Sequence, residues 1–380
     1  MRSLRCQLRG LILAAALAVS SASAGVSPDA IMGRKPNATW EGVHIYRNFS
    51  YGPRLDAPGE GEGYKSPMTG RHPEGWPFHS HRSGQFFDLI IAQEREIDPK
   101  MPVFVNLHGG AWCQPFDKDG EDLHYLAQLA RKGFLVVNMD YQLQSDILTW
   151  QTQVVKRENA TWVDMLRDID AMATFLKKDF LPKLGILPTK FALGGGSAGA
   201  HLSLLYAFDQ DNASILNAGL RHEYRVGFVV DIVGPADLSS DEFLSPFLTK
   251  KYPWGSMFNE WSGDRCATLL GWLAHDDVRA RIAKGDLIGA REVLRKYSPL
   301  YYVTPRTVPC ILAYCQICPF SSTDGCVPTS SYYDLKRALE LAGVPHVGDI
   351  RTFRLHGWLR RGYLNWVVDH AVQFADRFLQ

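Results

Sequence analysis

The sequence predicts an α/β fold: a mostly parallel sheet with helices packed on both of its faces. Two observations carry this expectation. Short apolar runs recur without polar alternation, as strands buried on both faces require. Between them lie segments whose apolar residues fall at three- and four-residue steps, the period of an amphipathic helix. The alternation continues from residue 86 to the C terminus, and such a chain builds a doubly covered parallel sheet. Composition sets the outer bounds. With 380 residues, 46% of them apolar and 12% aromatic, the chain can fill a large core, which excludes global disorder. Lys plus Arg number 41 against 40 Asp plus Glu, a net charge of +1. That balance gives no electrostatic reason to expect nucleic acid or an anionic membrane as partner.

The elements follow in chain order. Residues 25–85 are rich in Gly, Pro and His and read as an irregular N-terminal extension, with a strand-like patch at Val43–Tyr51. Strands are expected at Phe86–Gln93, Pro102–Leu107 and Phe134–Met139. Trp162, Leu166, Ile169, Ala173 and Leu176 then mark a helix, with Asp164, Asp168 and Asp170 on its polar side. A strand at Phe191–Leu193 runs into a helix at Ala198–Phe208. Strands at Val226–Val233 and Val308–Tyr314, a helix at Ser331–Ala342, a last strand at Ile350–Leu355 and a closing helix at Tyr363–Leu379 complete the series. Ser239–Lys296 breaks the rhythm. It is helical in pattern and carries Trp254, Trp261 and Trp272. An insertion there lies where ligands bind in such folds, so it is expected to form a cap within a catalytic domain spanning 86–380.

The N terminus reads as an export signal. Arg2, Arg5 and Arg9 precede the apolar run Leu11–Val19, and Ala22-Ser23-Ala24 offers small residues for cleavage. Cleavage after Ala24 and secretion, extracellular or periplasmic, are expected. The apolar run is too short to cross about 30 Å of hydrocarbon, so no membrane span is expected. Beyond the signal, six cysteines remain: Cys113, Cys266, Cys310, Cys315, Cys318 and Cys326. Outside the cytosol they favour at least one local disulfide over a zinc site, because the run from Cys310 to Cys326 lacks the paired spacing of a structural zinc centre. No metal and no organic cofactor are expected.

The chemistry is concentrated in Gly194-Gly-Gly-Ser197-Ala-Gly199-Ala-His201, between a predicted strand and a predicted helix. Glycines flanking a serine permit the sharp turn that lifts its hydroxyl above the sheet, and the helix N-terminus behind it favours developing negative charge. No lysine follows as in a phosphate-binding loop. Upstream, His108-Gly109-Gly110-Ala111-Trp112 follows an apolar strand. The N–H groups of Gly109, Gly110 and Ala198 are candidates for an oxyanion hole, each such donor being worth about 3 kcal/mol of barrier. A serine nucleophile needs a histidine base and a carboxylate to fix its tautomer. In chain order these are Asp324, after one late strand, and His356, after the last. His346, placed in a loop before that strand, and His370, in the final helix, are the rival bases. Asp237 is the rival acid, and Asp334 reads as a solvated helix residue. Trp112 and Trp358 flank the oxyanion loop and the base, and are candidates to stack on a sugar or an aromatic acyl group.

These residues resemble the α/β-hydrolase superfamily of serine esterases, and within it the BD-FAE-like branch of feruloyl and acetylxylan esterases near the hormone-sensitive-lipase group. The matching pieces are His108-Gly-Gly-Ala-Trp112, Gly195-Gly-Ser-Ala-Gly-Ala-His-Leu202, Gly234-Pro-Ala-Asp237, Ser298-Pro-Leu300, Asp324-x-x-Val-Pro328 and His356-Gly357. The resemblance implies an eight-stranded-type sheet and a catalytic triad of Ser197, Asp324 and His356. It implies carboxylester hydrolysis through an acyl-enzyme, the substrate being a small or polysaccharide ester with acetyl or feruloyl groups. Three features depart from the family pattern: a long Cys-rich approach to the acid at 315–324, Gln142 where the family has Arg after Asp140-Tyr141, and the segments 25–85 and 239–296. The alternatives are a general short-chain esterase or lipase, a formamidase-like amidase, and a binding domain without catalysis. The last usually lacks the serine or the histidine, both of which are present here.

Overall fold

The computed structural model describes residues 32–55, 61–62, 80–81, 84–113, 123–144, 160–212, 216, 218–244, 263–317, 319, 322–324, 326–354, 356 and 361–380. The expected signal segment, Trp254, Trp261, Trp358 and Cys318 fall outside these residues, as does the side chain of Cys266. The disulfide expectation therefore falls partly on residues that are not described.

Among the described residues a nine-stranded sheet runs in the order β1-β2-β5-β7-β6-β8-β9-β10-β11. Its strands are β1 (Ala38–Trp40), β2 (Val43–Leu55), β5 (Gly84–Ala92), β6 (Val103–Leu107), β7 (Leu135–Met139), β8 (Lys190–Gly196), β9 (Arg225–Ile232), β10 (Cys310–Gln316) and β11 (His346–Thr352). A separate pair, β3 (Gly61–Glu62) and β4 (Ser80–His81), is antiparallel. From β7 to β11 every pairing is parallel, while β1, β2 and β5 join antiparallel at one edge. Strands β6, β7 and β10 are buried along their whole length, which is why their sequences read as unbroken apolar runs.

Helices cover both faces. One face carries α1 (Leu123–Arg131) and α8 (Arg361–Phe378), packed on each other. The other carries α2 (Trp162–Phe175), α3 (Ala198–Asp209) and α7 (Ser330–Leu341). Every residue of α3 is buried, with His201, Ser203 and Asp209 its polar exceptions among apolar and small residues, as suits a central helix. The expected cap region contains α4 (Gly263–Ala274), α5 (Val278–Ala283) and α6 (Leu287–Arg295), with α4 leaning on α2.

Three expectations need correction. The patch at 43–51 is part of a thirteen-residue strand that pairs with β5, so part of the 25–85 segment belongs to the sheet. The last strand begins at His346 and ends at Thr352, which places His346 on the strand and not in a loop before it. β11 is an edge strand whose residues are mostly half-buried, so its first residues leave no apolar run in the sequence. Finally, Asp168 and Asp170, read as the polar side of their helix, are buried. Asp168 accepts from the Gln85 amide at 2.8 Å, the Gln142 N–H at 2.9 Å and the Gln142 amide at 3.0 Å. Asp170 accepts from Tyr206 and from the N–H groups of Arg221 and His222. Asp164 forms a capping box with Thr161. The three carboxylates thus fix the helix in place, since a buried carboxylate is tolerated only when its oxygens are hydrogen-bonded.

The tightest packing lies where β6 meets the turn after β8. A Cβ on Gly195 would sit 2.1 Å from the Leu107 carbonyl oxygen, and one on Gly199 would sit 2.1 Å from that oxygen and 2.6 Å from the His108 oxygen. Backbone cannot move aside as a side chain can. Gly362, by contrast, has nothing within 4 Å and lies in the first turn of α8. We expect Gly199→Ala to destabilise the fold by upwards of about 3 kcal/mol, while Gly362→Ala is neutral or stabilising by at most about 1 kcal/mol. Urea unfolding of both variants checks the contrast.

Candidate active site

Ser197 sits between the end of β8 and the start of α3 with φ 53° and ψ −116°. A left-handed, non-glycine residue at such a turn is strained, and its neighbours hold it there. Its N–H donates to the Ile232 carbonyl at 2.8 Å, and its carbonyl accepts from His201 N–H at 3.0 Å. The Ile232 carbonyl is fixed in turn by the bend after β9. Asp231 accepts from Gly234 N–H at 2.8 Å and from the Tyr314 hydroxyl at 2.7 Å. Complete burial pushes the Asp231 carboxyl up to about 7, against these two hydrogen bonds.

The hydroxyl of Ser197 lies 2.8 Å from His356 Nε2, and His356 Nδ1 lies 2.7 Å from Asp324 Oδ2. A carboxylate only accepts, so the Nδ1 proton points at Asp324 and Nε2 presents its lone pair to the serine. Asp324 is 1% exposed. Its Oδ1 accepts from the N–H groups of Cys326 at 2.9 Å and Val327 at 2.7 Å. The Cys315 thiol lies 3.7 Å from Oδ2, and burial, with the carboxylate beside it, pushes that thiol well above its usual range.

The long approach loop folds back on itself. Ile317 N–H donates to Thr323 O, Thr323 bridges Pro328, and His356 N–H donates to Asp324 O at 2.9 Å. These ties bring Asp324 back to the end of β10. Before the base, Phe353 adopts φ 59° and Arg354 N–H donates to Gln316 O, so the segment after β11 is tied back to β10.

On the opposite side of Ser197, the loop after β6 passes close by. A Cβ on Gly109 would sit 3.1 Å from Gly196 O and 3.4 Å from Ser197 Cβ. Gly110, Ala111 and Trp112 follow with φ of 107°, 49° and 61°. No carbonyl among the described residues accepts from the N–H groups of Gly109, Gly110 or Ala198. Tyr141 holds the loop from behind: its hydroxyl donates to His108 O at 2.8 Å and its ring stacks on His108 at 4.3 Å.

The rivals face elsewhere. Asp237 accepts from Ser239 N–H and hydroxyl and from the Tyr301 hydroxyl. His346 Nδ1 lies against Val344 O, and His370 Nδ1 against Trp366 O. Asp334 lies exposed in α7. Trp112 needs correction as a stacking residue. It is 6% exposed and meets Trp162 edge-on at 5.5 Å and His201 at 5.2 Å, so it packs the core behind the loop and has no open face for a ligand.

Sequence reasoning missed His201 and Tyr141, because neither bears chemistry at the reacting atoms. His201 lies one turn along α3 from Ser197, and its Nε2 donates to Tyr297 O at 2.7 Å. It thereby ties the helix behind the serine to the segment leaving α6. Its signal in the sequence was its place in the Gly195–Leu202 stretch, next to apolar residues.

The BD-FAE family profile matches residues 87–339, about two thirds of the chain, including the His108 loop, Ser197 and Asp324. No curated protein matches the sequence. Among solved structures, esterase B from Lactobacillus rhamnosis superposes with a TM-score of 0.57 at 17% identity, covering 98% of this chain and 96% of its own. A truncated carbohydrate esterase from gut microbiota gives a TM-score of 0.56 at 16% identity, covering 88% and 96%. An esterase from Pyrobaculum calidifontis gives 0.51 at 17%, covering 78% and 83%. At such identities the likeness is one of fold.

Burial holds His201 neutral and lowers it to about 4, with the hydrogen bond to Tyr297 partly opposing. The unfolded chain takes up this proton near 6.5 and the folded chain does not, so stability is full above about 6.5 and is lost as pH falls toward 4. Between pH 7.5 and 5 this one residue removes about 2 kcal/mol. In His201→Gln, whose amide can donate to the same carbonyl without titrating, urea midpoints at the two pH values should differ by correspondingly less.

Proposed function

The chain belongs to the BD-FAE family of α/β-hydrolase esterases, and we propose that it is an exported enzyme removing acetyl or feruloyl groups from polysaccharide or small esters at Ser197. That it hydrolyses carboxylic esters follows from the family. The nucleophile, the triad roles and the substrate are our reading. The observation that carries it is the continuous hydrogen-bonded series Ser197–His356–Asp324, drawn from three separate strand ends and aimed away from the core.

In this reading the lone pair of His356 Nε2 takes the Ser197 proton as Oγ attacks the ester carbonyl. The imidazolium that forms is stabilised by Asp324, whose Oδ1 is already engaged by two N–H groups, so Oδ2 need not move. Oxygen charge in the tetrahedral intermediate falls on the N–H groups of Gly109, Gly110 and Ala198, the last at the positive end of α3. Protonated Nε2 then donates to the leaving alcohol, leaving an acyl-serine. A water deprotonated by the same nitrogen releases the acid and restores the serine. No step needs a metal or an organic cofactor.

The substrate class is supported by the basic and apolar leader, Arg2 to Val19, which suits a protein that meets polymers outside the cell. It is supported also by the likeness to a carbohydrate esterase. The helical stretch 239–296 is assigned as the cap that shapes the acyl and alcohol sites.

Ser197→Ala should abolish p-nitrophenyl acetate turnover. Comparable slow rates in variant and wild type would favour a binding domain, and an intact acylation burst in the variant would mean another nucleophile. Asp324→Asn should slow kcat by about 10⁴-fold, whereas Asp237→Asn, whose carboxylate serves Ser239 and Tyr301, should cost far less. Comparing kcat/KM for acetyl, butyryl, feruloyl and acetylxylan esters tests the substrate. A clear preference for butyryl over acetyl and feruloyl esters would overturn the polysaccharide assignment.

A further inference from the structure

We propose that Asp324, Cys326 and His356 form a capture site for a thiophilic divalent cation, Zn²⁺ above all, and that filling it switches off hydrolysis. One carboxylate oxygen, the Cys326 sulfur and one imidazole nitrogen lie within 4.8 Å of one another. A mixed oxygen, sulfur and nitrogen donor set is what zinc takes, with ligand bonds of about 2.0–2.3 Å. Tetrahedral ligands at those bond lengths stand roughly 3.3–3.8 Å apart, so around an ion Nδ1 and Oδ2 would part from 2.7 Å by about 1 Å or less, while any pair near 4.8 Å would close by about 1 Å. The ligands come from two segments already hydrogen-bonded to each other through His356 N–H and Asp324 O, which holds them near the required spacing before any ion arrives.

The carboxylate is divided in a way that favours capture. Oδ1 accepts from the Cys326 and Val327 N–H groups, leaving Oδ2 as the oxygen an ion would take. Oδ2 is also the atom that receives the Nδ1 proton of His356, at 2.7 Å. Cys326 is half-buried and the His356 side chain is 17% exposed, so neither is sealed from solvent as the Asp324 carboxylate is.

Proton accounting explains why occupation is inhibitory. The Cys326 thiol loses its proton to solvent when the sulfur binds the cation. Nδ1, the ring nitrogen beside the carboxylate, binds through its lone pair, so its proton is replaced and the neutral ring carries its hydrogen on Nε2 instead. Nε2–H then faces Ser197 as a donor, and the lone pair that takes the serine proton is gone. Net release is one proton per ion, and the imidazole is held in the wrong tautomer.

The inhibitory half rests on the esterase reading and the binding half does not, so each is measured separately. Co²⁺, with its near-ultraviolet thiolate band, is titrated into full-length wild type, Ser197→Ala, Cys326→Ser and Cys326→Ala, with proton release followed in weak buffer. Wild type and Ser197→Ala should both show the band and release about one proton per ion, and both Cys326 variants should lack the band. In parallel, Zn²⁺ should inhibit ester turnover by wild type, reversibly with EDTA. Each Cys326 variant, referred to its own metal-free rate, should need about 10- to 100-fold more Zn²⁺. Absence of the band in wild type overturns the proposal, as does undiminished zinc sensitivity in either folded Cys326 variant. A band with no ester turnover at all would sink the esterase reading and leave the cation site standing. Normal turnover without a band does the reverse.

Discussion

The site depends on one close approach of backbone to backbone. The Leu107 carbonyl oxygen lies where side chains on Gly195 and Gly199 would have to stand. Because those side chains are missing, β6 and β8 run side by side into their turns, and the loop after β6 passes within contact of Ser197. Gly194 extends the same constraint one residue back, since a Cβ there would meet Phe104 and Val230 at 2.8 Å. A serine in a left-handed conformation is unfavourable by itself. It persists because the strand before it, the helix after it and the Ile232 carbonyl beside it each fix one part of its backbone.

The fold and the meeting of Ser197, Asp324 and His356 were legible in the sequence for a physical reason. Strands buried on both faces leave apolar runs, and a tight strand-to-helix turn leaves glycines. The base and acid stand at strand ends, where the order of the chain narrows the choice. What escaped reading was set by contacts distant in sequence. Asp168 and Asp170 occupy the helical positions a solvated face would take, yet Gln85, Gln142, Tyr206 and the backbone at 221–222 arrive from elsewhere to satisfy them. Trp112 stands next to the oxyanion glycines in sequence, but three successive positive φ values turn its ring into the core. The start of β11 escaped because an edge strand buries too little to leave an apolar signature.

Behind the reacting atoms lies a ring of polar ties, each joining a site segment to a rigid neighbour. Tyr141 holds the His108 carbonyl, His201 the Tyr297 carbonyl, and Tyr314 reaches both Asp231 and the Gly234 carbonyl, the latter at 2.5 Å. A hydroxyl has one proton, so Tyr314 cannot donate to both acceptors at once. Burial raises the Asp231 carboxyl to about 7, with its hydrogen bonds to Tyr314 and Gly234 opposing. The bend that receives the Ser197 N–H is thus held through Asp231 by the Gly234 N–H and the Tyr314 hydroxyl.

Asp324 is held differently, and the contrast follows from what each acid holds. Asp231 steadies backbone through the Gly234 N–H. Asp324 must select a tautomer, and only an ionised carboxylate accepts from Nδ1 while leaving Nε2 bare. A carboxylate at 1% exposure needs hydrogen-bond donors, and the N–H groups of Cys326 and Val327 supply two to Oδ1. That turn also brings the Cys326 sulfur toward the imidazole. On the proposed reading, the geometry that would make His356 a base also brings together the ligands of a cation. The site's sensitivity to thiophilic metals then has the same origin as its chemistry: a charged oxygen, fixed from behind and facing a ring nitrogen whose proton it governs.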